Sequence, residues 1–412
     1  MHETRRLPGP LSSLGHRRFR LYFIGQSFSV LGSWVQQVAM SWLVYRLTGS
    51  TELLGLTAFL MLAPQLVVGP LMGAVFDRFD RRRLLILVQW ILAGHATLLA
   101  VLTLSGLITP GLLVALSLVL GILNGTDTPL RQSLISGLLD DRAAIHNAVA
   151  LNAMAFNAGR FIGPPVAGLL LTVMPEGVCF ALNALSYVAL VIGVALGGPG
   201  SVAPPKPAGS YFAALREGFA HAWADSTART LLILVGVLNA TASTYAVLAP
   251  IFAKEIYGGD ARALGLLVGA AGAGAVLSTV SLAVVQGGTR AVTLMIGGSM
   301  GCALALIVFS QTTVLAVGLG AMVVLGFGIS VTNVGTNAML QTLAPDAVRG
   351  RMASLFTATR FGLDAFGGLA AGYLAAGLGG PGTILLEGIL LTGALLFLAP
   401  MVLRLRRRLA TP

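Results

Sequence analysis

The chain has 412 residues, of which 56% are hydrophobic and only 10% charged, with a formal net charge of +11 and a mean hydropathy of +0.87. Soluble globular domains carry about a quarter charged residues, so this composition excludes a water-soluble enzyme or binding module and predicts an all-α membrane protein. Transmembrane barrels are excluded as well, because their strands alternate polar and apolar residues and the apolar runs here do not.

In chain order, runs long enough to cross a bilayer are predicted at 20–45, 52–76, 84–106, 110–137, 147–173, 177–197, 230–252, 262–285, 291–310, 314–341, 353–378 and 381–403, twelve in all. The first is too long for a cleavable signal and lacks a small-residue cleavage site. It carries Gln26, Ser29, Ser33 and Gln36 at steps of three or four, which places them on one helical face. Between the second and third runs lies "GAVFDRFDRRRLLIL", residues 73–87. The fourth run carries Asn124, Asp127 and Arg131, again as one stripe. His95 in the third run reads as a packed or hydrogen-bonded residue.

The fifth run contains "RFIGPPVAG", residues 160–168, preceded by Gly159. Pro164 and Pro165 cannot donate to the carbonyls of Arg160 and Phe161, which predicts a bend. Gly159, Gly163, Ala167 and Gly168 flatten a face, so that a neighbouring helix can approach closely. Arg160 has no acid on its own helix and needs Asp127, Asp364 or an anionic substrate as its partner.

After the sixth run the sequence changes to "GGPGSVAPPKPAGS", then to a stretch with Phe212, Leu215, Phe219 and Trp223 at amphipathic spacing. The expected organisation is an N-terminal bundle over 1–198, a cytoplasmic linker with an amphipathic helix over 199–229 and a C-terminal bundle over 230–412. The seventh run carries Asn239 and Ser243 with Tyr245 nearby, and the tenth carries Asn333, Asn337 and Gln341. The polar stripes thus fall on the first, fourth, seventh and tenth runs, as expected if those helices line one path. Arg360 and Asp364 in the eleventh run are spaced to neutralise each other. Glu387 is alone in the apolar twelfth, either hydrated near the outer surface or functional. Charges at such depths cost roughly 2.5–3.5 kcal/mol on insertion scales, so they face a cavity or a partner.

The two halves repeat. "LLDDRAAIHNAVALNAMAFNAGRFIGPPVAGLLL" and "LAPDAVRGRMASLFTATRFGLDAFGGLAAGYLA" align without a gap, with Gly163 against Gly367 and Gly168 against Gly372 at a separation of 204 (367 − 163, 372 − 168). A duplicated six-helix unit follows. Placing both termini in the cytoplasm puts Arg17, Arg18, Arg81, Arg82, Arg83, Arg290, Arg349, Arg404 and Arg406 inside and only Arg46, Lys254 and Arg262 outside, as the positive-inside rule requires. This distribution accounts for the basic charge without a nucleic-acid partner. Cys179 and Cys302 fall in separate spans and the five histidines lack ligand spacing, so no metal is expected. No nucleotide-cradling loop is present and no cofactor is expected.

The segment 73–87 resembles the inner-loop signature of the major facilitator superfamily through Gly73, Asp77, Arg78, Arg81 and Arg82, with Asp80 where a glycine is usual. Gly159, Gly163, Pro164 and Gly168 resemble that superfamily's fifth-helix antiporter signature, with Ala167 replacing one glycine. "DTPLRQSLISGLL" together with the fifth run is similar to the branch containing the enterobactin exporter and the macrolide-efflux proteins. The resemblance implies two six-helix bundles in the cell membrane, acting as a monomer that exports a small organic molecule, drug or siderophore in type, in exchange for protons. It implies an inner latch of Asp77 with Arg131 and a proton carrier, Asp127 or Asp364 foremost, with Arg160 and Glu387 as further coupling candidates. Gln26, Gln36, Asn124, Asn239, Tyr245, Asn333 and Asn337 are candidates for the substrate path. An importer or uniporter on the same fold, or a non-transporting sensor or assembly partner, are the alternatives.

Overall fold

The computed structural model describes residues 9–76, 79–135, 137–139, 142–198, 211–285, 288–345 and 348–410. They form α1 (Arg17–Thr48), α2 (Thr51–Phe76), α3 (Arg81–Leu104), α4 (Pro110–Ile135), α5 (Arg142–Val173), α6 (Glu176–Leu196), α7 (Tyr211–Ala224), α8 (Ser226–Thr241), α9 (Tyr245–Ile251), α10 (Ala261–Val284), α11 (Gly288–Gln311), α12 (Leu315–Leu343) and α13 (Arg349–Ala410). Asp77, Arg78 and most of the Pro/Gly-rich linker lie outside the described residues.

Nine segments among the described residues are long and apolar enough to span a bilayer. One of them, Arg349–Val402, holds two spans, because Gly379 breaks α13 with φ 71° and ψ 165°. A side chain is strained at such a φ, and glycine is not, so the turn between the last two spans is placed by a single residue type. With α1 and α5, each 32 residues long, the total is twelve. The outward faces are apolar: Phe397, Val173 and Val284 are 78%, 76% and 74% exposed, as side chains meeting lipid are.

The chain packs as two compact units, one of Met1–Leu43 with Pro64–Ala208 and the other of Val44–Ala63 with Gly209–Pro412. In the first, α3 lies along α6 and α4. Asp80 caps the N-terminus of α3, accepting from the backbone N–H of Arg82 at 2.9 Å and of Arg83 at 3.3 Å. An extended φ/ψ of −64° and 109° suits it there, so the site usual for glycine needs none. Arg82 reaches the other way: its Nε donates to the Val194 carbonyl at 3.2 Å and a terminal nitrogen to Ala195 at 2.8 Å, closing the C-terminus of α6. Arg82→Ala should fray the last turn of α6, costing about 1 kcal/mol, read as faster amide hydrogen exchange there with the remainder of α6 unchanged.

α5 continues as a helix through Pro164 and Pro165. Its small residues meet α1 of the same unit. A methyl group on Gly163 would lie 2.5 Å from Trp34 Cβ, and one on Gly159 2.5 Å from Val30 Cγ1. In the second unit Gly367, the repeat partner of Gly163, meets α8: a methyl there would lie 2.4 Å from the Ala240 carbonyl oxygen. Trp34 and Ala240 are 206 residues apart (240 − 34), close to the glycine separation of 204. The duplication is therefore present in packing as well as in sequence.

Within the second unit, α10 and α12 approach at their backbones through Gly274 and Gly326. α13 lies along α8 and α11. One end is filled by Leu231, Val235, Met295, Met339, Met352 and Phe356. The Val44–Ala63 stretch is fastened into this unit by several contacts. Tyr45 donates its hydroxyl to Glu255, the Lys254 ammonium sits 5.5 Å from the Tyr45 ring centre, and Phe59 meets Phe366 at 5.2 Å.

Candidate functional site

Two buried polar centres stand in the apolar packing, one in each unit. In the first unit Arg131 on α4 is the hub. Its Nε donates to Asp127 one turn earlier at 2.6 Å, forming a buried ion pair. One terminal nitrogen donates to Gln26 Oε1 at 2.5 Å, and the other to Ser29 Oγ and Gln89 Oε1, each at 3.1 Å. Gln89 also donates to Asp127 at 2.5 Å. All five residues are buried.

This satisfies a rule for charge in an apolar medium: the cation needs both a counter-ion and acceptors for its remaining donors. Two donors on α1 nonetheless remain unmatched among the described residues, Tyr22 Oη and Gln26 Nε2, one turn apart and both fully buried. A second cluster in this unit joins Gln36 to Asn183, which donates to it at 2.6 Å, and links Ser33 with Tyr187 at 3.4 Å.

The helical stripes on α1 and α4 thus converge. Gln89 and Asn183 belong to spans whose single amides gave no periodic pattern, and they enter the networks as well. Asn124 is half-buried on α4. Arg160 is half-buried and makes no ion pair among the described residues. Gly73 lies in α2 and Arg81 opens α3.

In the second unit, Asn239 on α8 and Asn333 on α12 meet across 94 residues, with the Asn239 amide donating at 3.0 Å. Ser243 donates to Asn239 at 3.2 Å, and Tyr245 is buried nearby in sequence. Asn337 accepts from Gln341 on the same helix at 3.0 Å. Asp364 is half-buried on α13.

Beside the Asn239 group, the seventh span loses regular helix. Residues Ala242–Thr244 form a tight 3-10 turn, Pro250 removes a backbone donor, and Phe252–Ile256 form a π turn closed by Tyr257 N–H to Phe252 O at 2.9 Å. Thr244 in that break donates its hydroxyl to Glu387. Glu387 is 5% exposed. Positions 230–253, 291–311 and 315–343 contain no acidic or basic residue, and 365–403 contain only Glu387 itself. Tyr245, Cys302 and Tyr373 are the titratable side chains on those stretches.

The family model described as transmembrane secretion effector matches residues 8–411. The staphyloferrin A transporter of Staphylococcus aureus is 27% identical over 272 residues, covering 63% of this chain and 66% of that protein. The enterobactin exporter EntS of Shigella boydii is 27% identical over 412 residues, covering 96% of this chain and 94% of the relative. In fold, a mutant form of the nucleoside transporter NupG superposes with a TM-score of 0.73 at 14% identity, covering 93% of this chain and 99% of that one.

Proposed function

Because the chain belongs to the transmembrane secretion effector family of major facilitator proteins, we propose that it is a proton-coupled exporter of a siderophore-like small molecule, working by alternating access. The observation that carries this reading is the pair of buried polar centres, one in each repeat of a duplicated membrane fold. Amide and ionic groups persist in such an environment where a transported polar solute or ion needs them. The relatives, a staphyloferrin A transporter and an enterobactin exporter, support this substrate class. The protein acts alone in the cytoplasmic or inner membrane, with both termini inside and two six-helix halves, 1–198 and 230–412, joined by the cytoplasmic linker 199–229. Gly73, Asp77, Arg78, Arg81, Arg82 and Arg131 make up the proposed inner gate, of which Asp77 and Arg78 lie outside the described residues.

Among the coupling candidates, the Arg131 ion pair occupies Asp127. Glu387 accepts from the Thr244 hydroxyl, and the stretches 230–253, 291–311, 315–343 and 365–403 carry no basic residue. An anion buried in that way is costly, and protonation removes the cost. Glu387 therefore takes the coupled proton, and Asp127 sets the shape of the first unit. Moving one charge through 100 mV supplies about 2.3 kcal/mol, to which a pH gradient adds.

The test is flux of enterobactin in proteoliposomes with an imposed pH gradient. Unmodified protein should move the probe against its concentration. Glu387→Gln should lower the gradient-driven rate roughly tenfold or more while sparing gradient-free exchange of labelled for unlabelled probe, as expected when a general proton carrier is removed without the binding site. Absence of probe movement in either direction would overturn the exporter reading.

A further inference from the structure

An open groove of about 660 Å³ runs along the outer surface of the second unit, lined by Val285, Arg290, Leu294, Gly297, Phe327 and Arg406 among others. That volume is in the range of small-ligand sites. Arg290, in the first turn of α11, and Arg406, near the C-terminus of α13, both line the groove. Both are exposed, and neither makes a hydrogen bond or ion pair among the described residues.

From Arg290 the groove follows one face of α11 through Thr293, Leu294, Gly297, Gly298 and Gly301. Eleven residues at 1.5 Å each carry it about 16 Å. The hydrocarbon core of a bilayer is about 30 Å thick, so this length matches a single leaflet. Gly297 forms an open part of the floor, where a methyl group would meet nothing within 4 Å. The deeper part is walled by Val324 and Phe327 of α12.

A pair of unmatched cations at one end and an apolar slot one leaflet long behind them match one amphiphile. We propose that this groove binds an anionic phospholipid, its phosphate between Arg290 and Arg406 and one acyl chain along Gly297 and Gly301. Basic pockets at helix ends on the cytoplasmic side recognise anionic headgroups by this chemistry. The assignment to the cytoplasmic leaflet rests on the orientation proposed above; the binding itself does not.

The test uses the purified, delipidated full chain and native mass spectrometry, which reads lipid adducts and oligomeric state together. Dioleoylphosphatidylglycerol and dioleoylphosphatidylcholine are titrated in parallel, because they share acyl chains and differ in headgroup charge. The expected result is tighter retention of the anionic phosphatidylglycerol by roughly thirtyfold, the contribution of two arginines at a membrane surface. Arg290→Gln with Arg406→Gln should erase the headgroup preference, and Gly297→Leu should reduce retention of both lipids by filling the slot. Inorganic phosphate at millimolar concentration should not displace the lipid.

Equal retention of the two lipids by the unmodified protein would overturn the proposal. So would displacement by phosphate alone, or a dimer that Gly297→Leu dissociates in the absence of any lipid adduct. Should the double arginine variant fail to fold, the comparison of headgroups and the Gly297→Leu variant decide. None of these measurements involves transport, so failure here is distinct from failure of the exporter assignment.

Discussion

Arg131→Ala is expected to cost the protein about 3–5 kcal/mol of stability, the usual result of leaving one partner of a buried ion pair without its counter-charge. The change removes four acceptor contacts at once: Asp127, Gln26, Ser29 and Gln89 all take hydrogens from this guanidinium. Arg131→Lys should recover little, since an ammonium is a compact point charge and cannot reproduce the planar fork. Asp127→Asn combined with Arg131→Met should recover most of the loss, because the buried charges disappear together. Unfolding in mixed detergent–denaturant micelles, followed by circular dichroism, measures all three. A single alanine variant as stable as the parent would show that water or lipid headgroups reach this centre and take over the role of the lost partner.

Gly326→Ala should be the second severe change, although alanine improves helix propensity by about 1 kcal/mol over glycine. The added methyl would lie 1.9 Å from the carbonyl oxygen of Ala271 and 2.5 Å from its carbonyl carbon. Because the obstacle is backbone, a rotamer change offers no relief. α10 and α12 would have to separate, and the cost should exceed the roughly 1–3 kcal/mol of ordinary overpacking. Gly274 is equally constrained from the α10 side, 2.0 Å from the Val323 carbonyl oxygen. Gly297→Ala supplies the control, with the same propensity gain and open space. Melting temperatures of the two variants should therefore move in opposite directions.

Much of the fold was legible from composition and periodicity, because twelve long apolar runs have one solution in lipid. The repeat was legible too, down to the glycine register, since close helix approach tolerates so few residue types. The polar stripes on α1, α4, α8 and α12 pointed to residues that do meet, as Asn239 and Asn333 do. Gln89 and Asn183 were not legible: one amide in an apolar span has no period, and its partner lies on another helix. Thr244 was hidden for a different reason. It meets Glu387 across 143 residues, from a turn that regular helix periodicity does not describe. The acid's isolation in sequence was visible, and the hydroxyl that meets it was not. The arginines of the surface groove read as topology signals, because nothing linear links Arg290 to Arg406.

α1 and α2 each cross from one compact unit to the other, α1 between Leu43 and Val44 and α2 between Ala63 and Pro64. The two crossings are mechanically unequal. Pro64 has no amide hydrogen, so the Leu60 carbonyl is denied its usual donor just where α2 changes unit. At the α1 crossing the ladder is intact in chemical kind, and Thr48 adds a side-chain bond back to Val44 at 2.7 Å. Torsion applied to this hairpin would be borne by α1 as a rigid shaft, while α2 yields at its proline like a universal joint.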